Sequence, residues 1–334
     1  MRRLPMLVLL IAGLTIPVAC GEDAPPFAFP AVSSPDLGVE PTVVSSTTPP
    51  RTTMVRVLHD GSGRAIEPHD VVVANTKAQV WTTKAGAPPP LLNTFSDRHL
   101  LFRSIDQMVP GWSTALPGVK VGSRVVLVTP PQDAFGPDGN VAIGVGRNQS
   151  LVWVIDVLAA MPVDAMADGT PAKNPADPAL PTVSPGKNPT ITVPRTAAPT
   201  SLVRRALLTG TGARIAGGQV VLAQYTGVIW RNGNVFDTSW KPERGPFNAR
   251  VAESSRTSTE PGVIQGWVRG LVGQRVGSRI LLVVPPNLGY GRAGNPPAGI
   301  TGRDTLVFVI DILGVYPDPT QHDPTTHGAA AGHP

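Results

Sequence analysis

One block of sequence occurs twice, and that duplication constrains the chain more than any other feature. Val121-Gly122-Ser123-Arg124 returns as Val276-Gly277-Ser278-Arg279, 155 residues later. Leu151-Val152-Trp153-Val154-Ile155-Asp156-Val157-Leu158 returns at the same offset as Leu306 to Leu313, with six of eight identities. Gly111-Trp112 maps onto Gly266-Trp267. Trp81 and Trp230 lie only 149 apart, so the second copy carries six more residues between its two tryptophans. A repeat this long is a domain, and 334 residues suit about two domains, each with its own core.

What surrounds the copies is different in kind. The chain holds 35 glycines and 38 prolines, a proportion that points to linkers or turn-rich domains. Residues 21–52 are rich in Pro, Ser and Thr, as in Pro25-Pro26 and Ser45-Ser46-Thr47-Thr48-Pro49-Pro50. Such composition buries too little apolar area to offset chain entropy and predicts an extended tether. Residues 161–199 predict a Pro-rich linker, and residues 317–334 a disordered tail. The tail's His322, His327 and His333 have nothing rigid to hold them as metal ligands. The domains are therefore expected at 53–160 and 200–316.

The N-terminus reads as an address. Arg2 and Arg3 precede an apolar run from Leu4 to Ala19 that stops at Cys20-Gly21. That run is too short to span a membrane comfortably and has the layout of a secretory signal. The chain's one cysteine falls at the cleavage point, so the segment resembles a bacterial lipoprotein signal with Val18-Ala19-Cys20 as its lipobox. The reading predicts residues 1–20 as a signal peptide, Cys20 as the lipidation site and an extracytoplasmic, lipid-anchored location at the cell membrane. The bland alternative is an ordinary secretory signal with a chance cysteine.

Several chemistries are excluded or poorly supported. A single cysteine forbids an internal disulfide and any multi-cysteine zinc or iron–sulfur site. A net charge of +5, with arginines scattered among turns, does not make a nucleic-acid surface. His59-Asp60 and His69-Asp70 read as turns beside strands. Gly210-Thr211-Gly212 lacks the lysine of a phosphate loop. Asn148-Gln149-Ser150 has the glycosylation form, which a bacterial lipoprotein leaves bare. No metal and no cofactor is expected.

Each copy reads as mostly β. Gln219 to Trp230 has the length of a strand, and Ile280 to Val284 is a short apolar run stopped by Pro285-Pro286. Leu306, Phe308, Ile310 and Ile312 alternate onto one face of a last strand. Only Val263 to Leu271, after Pro261, predicts a helix, kept short by Gly266 and Gly270. The expected class is α+β: in each copy an antiparallel sheet curled around one short helix.

The second copy resembles the FK506-binding-protein (FKBP) type of peptidyl-prolyl isomerase. The motifs that carry this are Tyr225-Thr226-Gly227, Val235-Phe236-Asp237-Thr238-Ser239, Pro246-Phe247, Val263-Ile264-Gln265-Gly266-Trp267, Gly289-Tyr290-Gly291 and Thr305-Leu306-Val307-Phe308. They stand in the family's order across residues 200–315. The resemblance implies two FKBP-like domains in tandem, each a half-barrel sheet around a helix whose tryptophan floors a substrate pocket. It implies Asp237, Tyr290 and Phe247 as catalytic residues. Tyr225, Phe236, Val263, Ile264, Trp267, Ile300 and Phe308 would bind substrate. The family's pocket arginine has no unambiguous match, with Arg244 closest.

The expected function is cis–trans isomerisation of X–Pro bonds in exported proteins at the envelope, with FK506-like macrocycles as further ligands. The alternative is a non-catalytic lipoprotein that holds clients in the same grooves. The first copy departs from the pattern. In register, Tyr225 becomes Thr76, Phe236 becomes Leu92, Asp237 becomes Asn93, Tyr290 becomes Phe135 and Phe308 becomes Trp153. Met108-Val109 stands for Val263-Ile264, and Phe247 matches Leu101 or Phe102. A kept core with weak or absent activity is the expectation there.

Overall fold

The computed structural model describes residues 27–317 except 85, 87, 98, 176, 242–243 and 252–262. Each copy forms one antiparallel sheet. In the first unit the strands are β1 (Met54–His59), β2 (Val71–Val80), β3 (Leu92–Asn93), β4 (Leu101–Ser104), β5 (Arg124–Thr129) and β6 (Leu151–Met161). Their spatial order is β1-β5-β6-β2-β3, with β4 also on β2. In the second unit they are β7 (Val203–Thr209), β8 (Gln219–Ile229), β9 (Val235–Thr238), β10 (Phe247–Val251), β11 (Arg279–Val284) and β12 (Leu306–Tyr316). Their order is β9-β8-β12-β11-β7, with β10 on β8 and a short strand, Thr170–Pro171, extending the β7 edge.

Helices are few. A single turn, α1 (Thr94–Asp97), follows β3, while α2 (Pro110–Ala115) and α3 (Gln265–Leu271) pack inside their sheets. Helix α3 begins two residues later than the sequence predicts, because Ile264 is its extended cap. Both sheets bulge at matched places, between Val73 and Ala74 and between Leu222 and Ala223. A bulge adds twist and bends the strand, which is how each sheet curls over its helix.

The repeated Val-Gly-Ser-Arg motif has a structural job at each position. Gly122 (φ 90°) and Gly277 (φ 88°) turn the chain through a region that L side chains avoid. Ser123 and Ser278 accept the Gly61 and Gly210 amides, each at 2.9 Å. Arg124 and Arg279 then meet Asp156 and Asp311 in two buried ion pairs, both at 2.5 Å.

Those buried pairs correct the expectation of a free tether and a free linker. Residues 27–52 lie across the outer face of the first sheet as a strap. There Val43, Phe27, Phe29 and Val32 cover Val126, Val128, Val152 and Val154. Arg124 donates to the Ser34 and Val39 carbonyls, and the Gly38 amide donates to Asp156 at 2.7 Å. The linker does the same for the second sheet. Ile191, Leu180, Val183 and Val193 cover Val228, Leu281, Val283, Val307 and Val309. The Ala167 amide donates to Asp311 at 3.0 Å. Even the tryptophan anchors match: Trp81 Nε1 donates to the Thr47 carbonyl and Trp230 Nε1 to the Thr196 carbonyl.

The reason is visible in the strands. Leu306, Phe308, Ile310 and Ile312 face the helix as expected, but Val307 and Val309 on the opposite face are buried too. A sheet apolar on both faces needs a cover on each. The strap is that cover. Cys20, Pro261 and the three tail histidines lie outside the described residues, and no helix among the described residues is long and apolar enough to cross a membrane.

Candidate active site

The site opens on the inner face of the second sheet. Trp267, 3% exposed on α3, forms its floor. Tyr225 on β8 stands edge-on to it at 5.3 Å, and Phe308 on β12 edge-on at 5.5 Å. Phe247 on β10 and Phe236 on β9 complete the walls, at 5.6 Å from Tyr225 and 5.5 Å from Phe308. Edge-to-face packing suits the ring quadrupoles and holds each face at a defined tilt. Phe236 can lie over β8 only because residue 227 is glycine, since a Cβ there would stand 2.7 Å from its ring.

One polar chain crosses this apolar cleft. The Tyr225 hydroxyl donates to Asp237 Oδ2, and Arg244 donates to Asp237 Oδ1 and, at 3.2 Å, to the Thr238 carbonyl. The uncertain arginine of the sequence comparison is thereby placed: Arg244 holds Asp237 from one side and Tyr225 from the other. Burial, followed by the hydrogen bond and negative charge of Asp237, pushes the Tyr225 phenol well above its ordinary range. Burial also pushes Tyr316 up to about 12. Both shifts favour the neutral phenol in the folded chain, so the stability they contribute is present below about pH 10 and lost as pH rises beyond it. Replacing Tyr225 with Phe is therefore expected to leave unchanged the phenolate absorbance gained by about pH 11.

The cleft has a volume of about 740 Å³, and its lining includes Tyr225, Phe236, Asp237, Phe247, Val263, Ile264, Trp267, Tyr290 and Phe308. All are residues expected from sequence. Ile300 is the exception. It is 2% exposed and packed in the core with Trp267 and Phe308, so it supports the pocket from below and does not line it. Phe247 and Tyr290 are the most open members, at 40% and 38% exposed. The lining also holds residues that sequence reasoning did not place: His69, Val71, Phe102, Arg103, Ser104, Asp106 and Gln107, all from the first unit, and Val163 from the strap.

Strand pairing corrects the register of the first unit. The Tyr225 amide donates to Ser239 Oγ at 2.8 Å, and the Thr76 amide donates to Thr94 Oγ1 at 2.8 Å. Ser239 and Thr94 are thus equivalent. Asp237 opposes Gly227 in its sheet, and Leu92 opposes Ala78 at the matched place. The counterpart of Asp237 is Leu92, not Asn93, and Phe236 shifts accordingly to Leu91. Pairing also settles Phe247, which opposes Ala223 as Leu101 opposes Ala74, so Leu101 is its match. Asn93 instead donates to Glu40 of the strap at 2.7 Å. Beneath it Trp112 is fully buried, edge-on to Trp153 at 5.6 Å.

The histidine–aspartate pairs serve as turn contacts. His69 meets Asp106 at 2.7 Å, Asp70 takes Arg64 at 2.7 Å, and Asp60 takes Lys120 at 3.0 Å. Among the described residues no group of three or more His, Cys, Asp or Glu side chains comes together.

A curled antiparallel sheet around a short helix thus carries an aromatic cleft floored by the helix tryptophan, with one carboxylate held by a tyrosine and an arginine. The family model for FKBP-type peptidyl-prolyl cis-trans isomerases matches residues 94–158 and 212–313, half of the chain. The chain is 37% identical over 129 residues to a probable FK506-binding protein of Corynebacterium glutamicum, covering 38% of this chain and 98% of that protein. It is 32% identical over 130 residues to an FK506-binding protein of Streptomyces anulatus, covering 39% of this chain and 98% of that one. It is 37% identical over 121 residues to the FKBP-type isomerase FkpA of Escherichia coli, covering 36% of this chain and 40% of the relative. The chain belongs to the FKBP-type peptidyl-prolyl cis-trans isomerase family.

Proposed function

We propose that the second unit isomerises X–Pro bonds in exported polypeptides, and that the first unit is an FKBP-like domain in series with it that keeps the core without the site. The observation that carries this is the hydrogen-bonded chain Tyr225–Asp237–Arg244 closing an aromatic cleft over Trp267. Turning an X–Pro bond breaks no covalent bond and moves no proton, so the site needs no nucleophile. The uncatalysed barrier is about 20 kcal/mol. As the amide twists it loses resonance and its oxygen becomes less polar. A water-poor aromatic cleft therefore favours the twisted state over the planar, solvated one.

The residues divide this work. Trp267 supports the proline ring, with Phe236, Phe247 and Phe308 excluding water around it. The Ile264 N–H, just ahead of α3, fixes the substrate chain, and the Tyr290 hydroxyl donates to it. Asp237, held by Tyr225 and Arg244, orients the twisting amide. A ten-thousandfold acceleration needs only about 5.5 kcal/mol of differential binding. The apolar cleft also suits FK506-like macrocycles. The deciding assay is turnover of X–Pro peptides by the full chain and by its Asp237→Ala variant. A folded chain indistinguishable from buffer across several peptides removes the enzyme reading and leaves a client-holding role. A shortened chain for this assay should start near residue 163, because one starting at 200 loses the strap over Leu281, Val283, Val307 and Val309.

We further propose residues 1–20 as a lipoprotein signal and Cys20 as the acylated first residue of a mature, membrane-anchored chain. The support is the coincidence of the chain's one cysteine with the end of its apolar run. Several acyl chains anchor stably, since each buried CH₂ contributes about 0.8 kcal/mol. Intact mass of the mature chain is expected to begin at Cys20 with acyl mass added. A mature N-terminus elsewhere, without that mass, ends the claim.

A further inference from the structure

We propose that the first unit supplies one wall of the substrate cleft, and that Arg103 on that wall selects X–Pro segments carrying an acidic residue beside the proline. The inference rests on the second unit's being the isomerase. The cleft over Trp267 does not end at the second sheet: it continues to β4 of the first unit, where Phe102, Arg103 and Ser104 line it, and to Asp106 and Gln107 beyond. Two contacts hold this wall against the second sheet. Phe102 packs edge-on against Tyr316 at 5.6 Å, and Gln224 donates to the Val163 carbonyl at 2.8 Å.

The charges facing the cleft are almost all spoken for. Asp106 is paired with His69 at 2.7 Å, and Asp237 with Arg244. Among the described residues no ion pair or side-chain hydrogen bond engages Arg103, which is exposed on the cleft wall. Nor does the repeated fold explain an arginine there. Arg103 opposes Val72, and the matched residue opposite Val221 is Ala249, fully buried. One unpaired guanidinium beside a proline-binding subsite is a binding group for a carboxylate, presenting fixed parallel donors.

The test uses the full chain and three X–Pro peptides that differ beside the proline, carrying Glu, Lys or a neutral residue. Wild type should favour Glu over Lys by about two- to fivefold, the range for a partly exposed ion pair, in KM and not in kcat. Salt at about 1 M should erase the preference. Arg103→Glu should reverse it, and Arg103→Ala flatten it. Peptide binding by fluorescence anisotropy is read in parallel. A chain without turnover that still prefers the acidic peptide, with Arg103→Glu reversing the order, upholds the subsite and removes the isomerase reading. A chain that turns over all three peptides with an unchanged Glu-to-Lys ratio in Arg103→Glu overturns the subsite alone. Neither turnover nor binding overturns both.

Discussion

Replacing Asp311 with Ala lowers the unfolding free energy of the second unit by about 3 to 5 kcal/mol. The carboxylate takes Arg279 at 2.5 and 2.7 Å and the Ala167 amide at 3.0 Å, and both side chains are essentially out of solvent. Its removal leaves a guanidinium buried without a counter-charge and frees the first turn of the strap. Removing both charges is different. Arg279→Met with Asp311→Leu should recover most of the loss, because neither ion then has to be desolvated. Urea unfolding of the full chain, followed to the end of its second transition, measures both variants. A loss under about 1 kcal/mol for Asp311→Ala would mean that the pair does not hold the strap.

Turnover by the full chain is expected to be lopsided between matched positions. Phe247→Ala should lower kcat/KM by about ten- to a hundredfold, since a large aromatic wall contributes about 1.5 to 3 kcal/mol when a proline covers it. Leu101→Ala, the same change at the matched place in the first unit, should stay within about twofold. The first unit has Thr76 for Tyr225 and Leu92 for Asp237, so it lacks both the hydroxyl and the carboxylate of the polar chain. Protease-coupled turnover of a single proline peptide reads both variants. Equal losses at Phe247 and Leu101 would show that shape alone carries the reaction and that both clefts work.

The sequence made the inner faces of the sheets legible and left much of the outer faces dark. Val-Gly-Ser-Arg and the last strand recur nearly unchanged because each residue there has a geometric duty: a positive φ, an accepted amide, a buried pair. Most pocket residues followed from the family resemblance, motif by motif, and the structure brings their rings together over α3. The straps were misread for a physical reason. Pro-, Ser- and Thr-rich chain has no periodic apolar pattern, yet a few side chains such as Val43 and Ile191, plus carbonyls offered to Arg124, suffice to seat it. The register slip at Asn93 has a similar origin. Asparagine resembles aspartate on paper, whereas the pairing of Leu92 with Ala78 decides which residue faces the cleft. Arg103 and the rest of the first unit's wall carried no signal at all, because their role depends on where the second sheet comes to rest.

The matched strap contacts also say what the repeating unit is. Thr47 and Trp81 are separated by the same interval as Thr196 and Trp230, so each strap is seated on its sheet in the same register. A second unit beginning at β7 would leave Leu281, Val283, Val307 and Val309 uncovered, a flat apolar face prone to association. The folding module is therefore strap plus sheet, and the spacer between the two units is the second sheet's own outer cover.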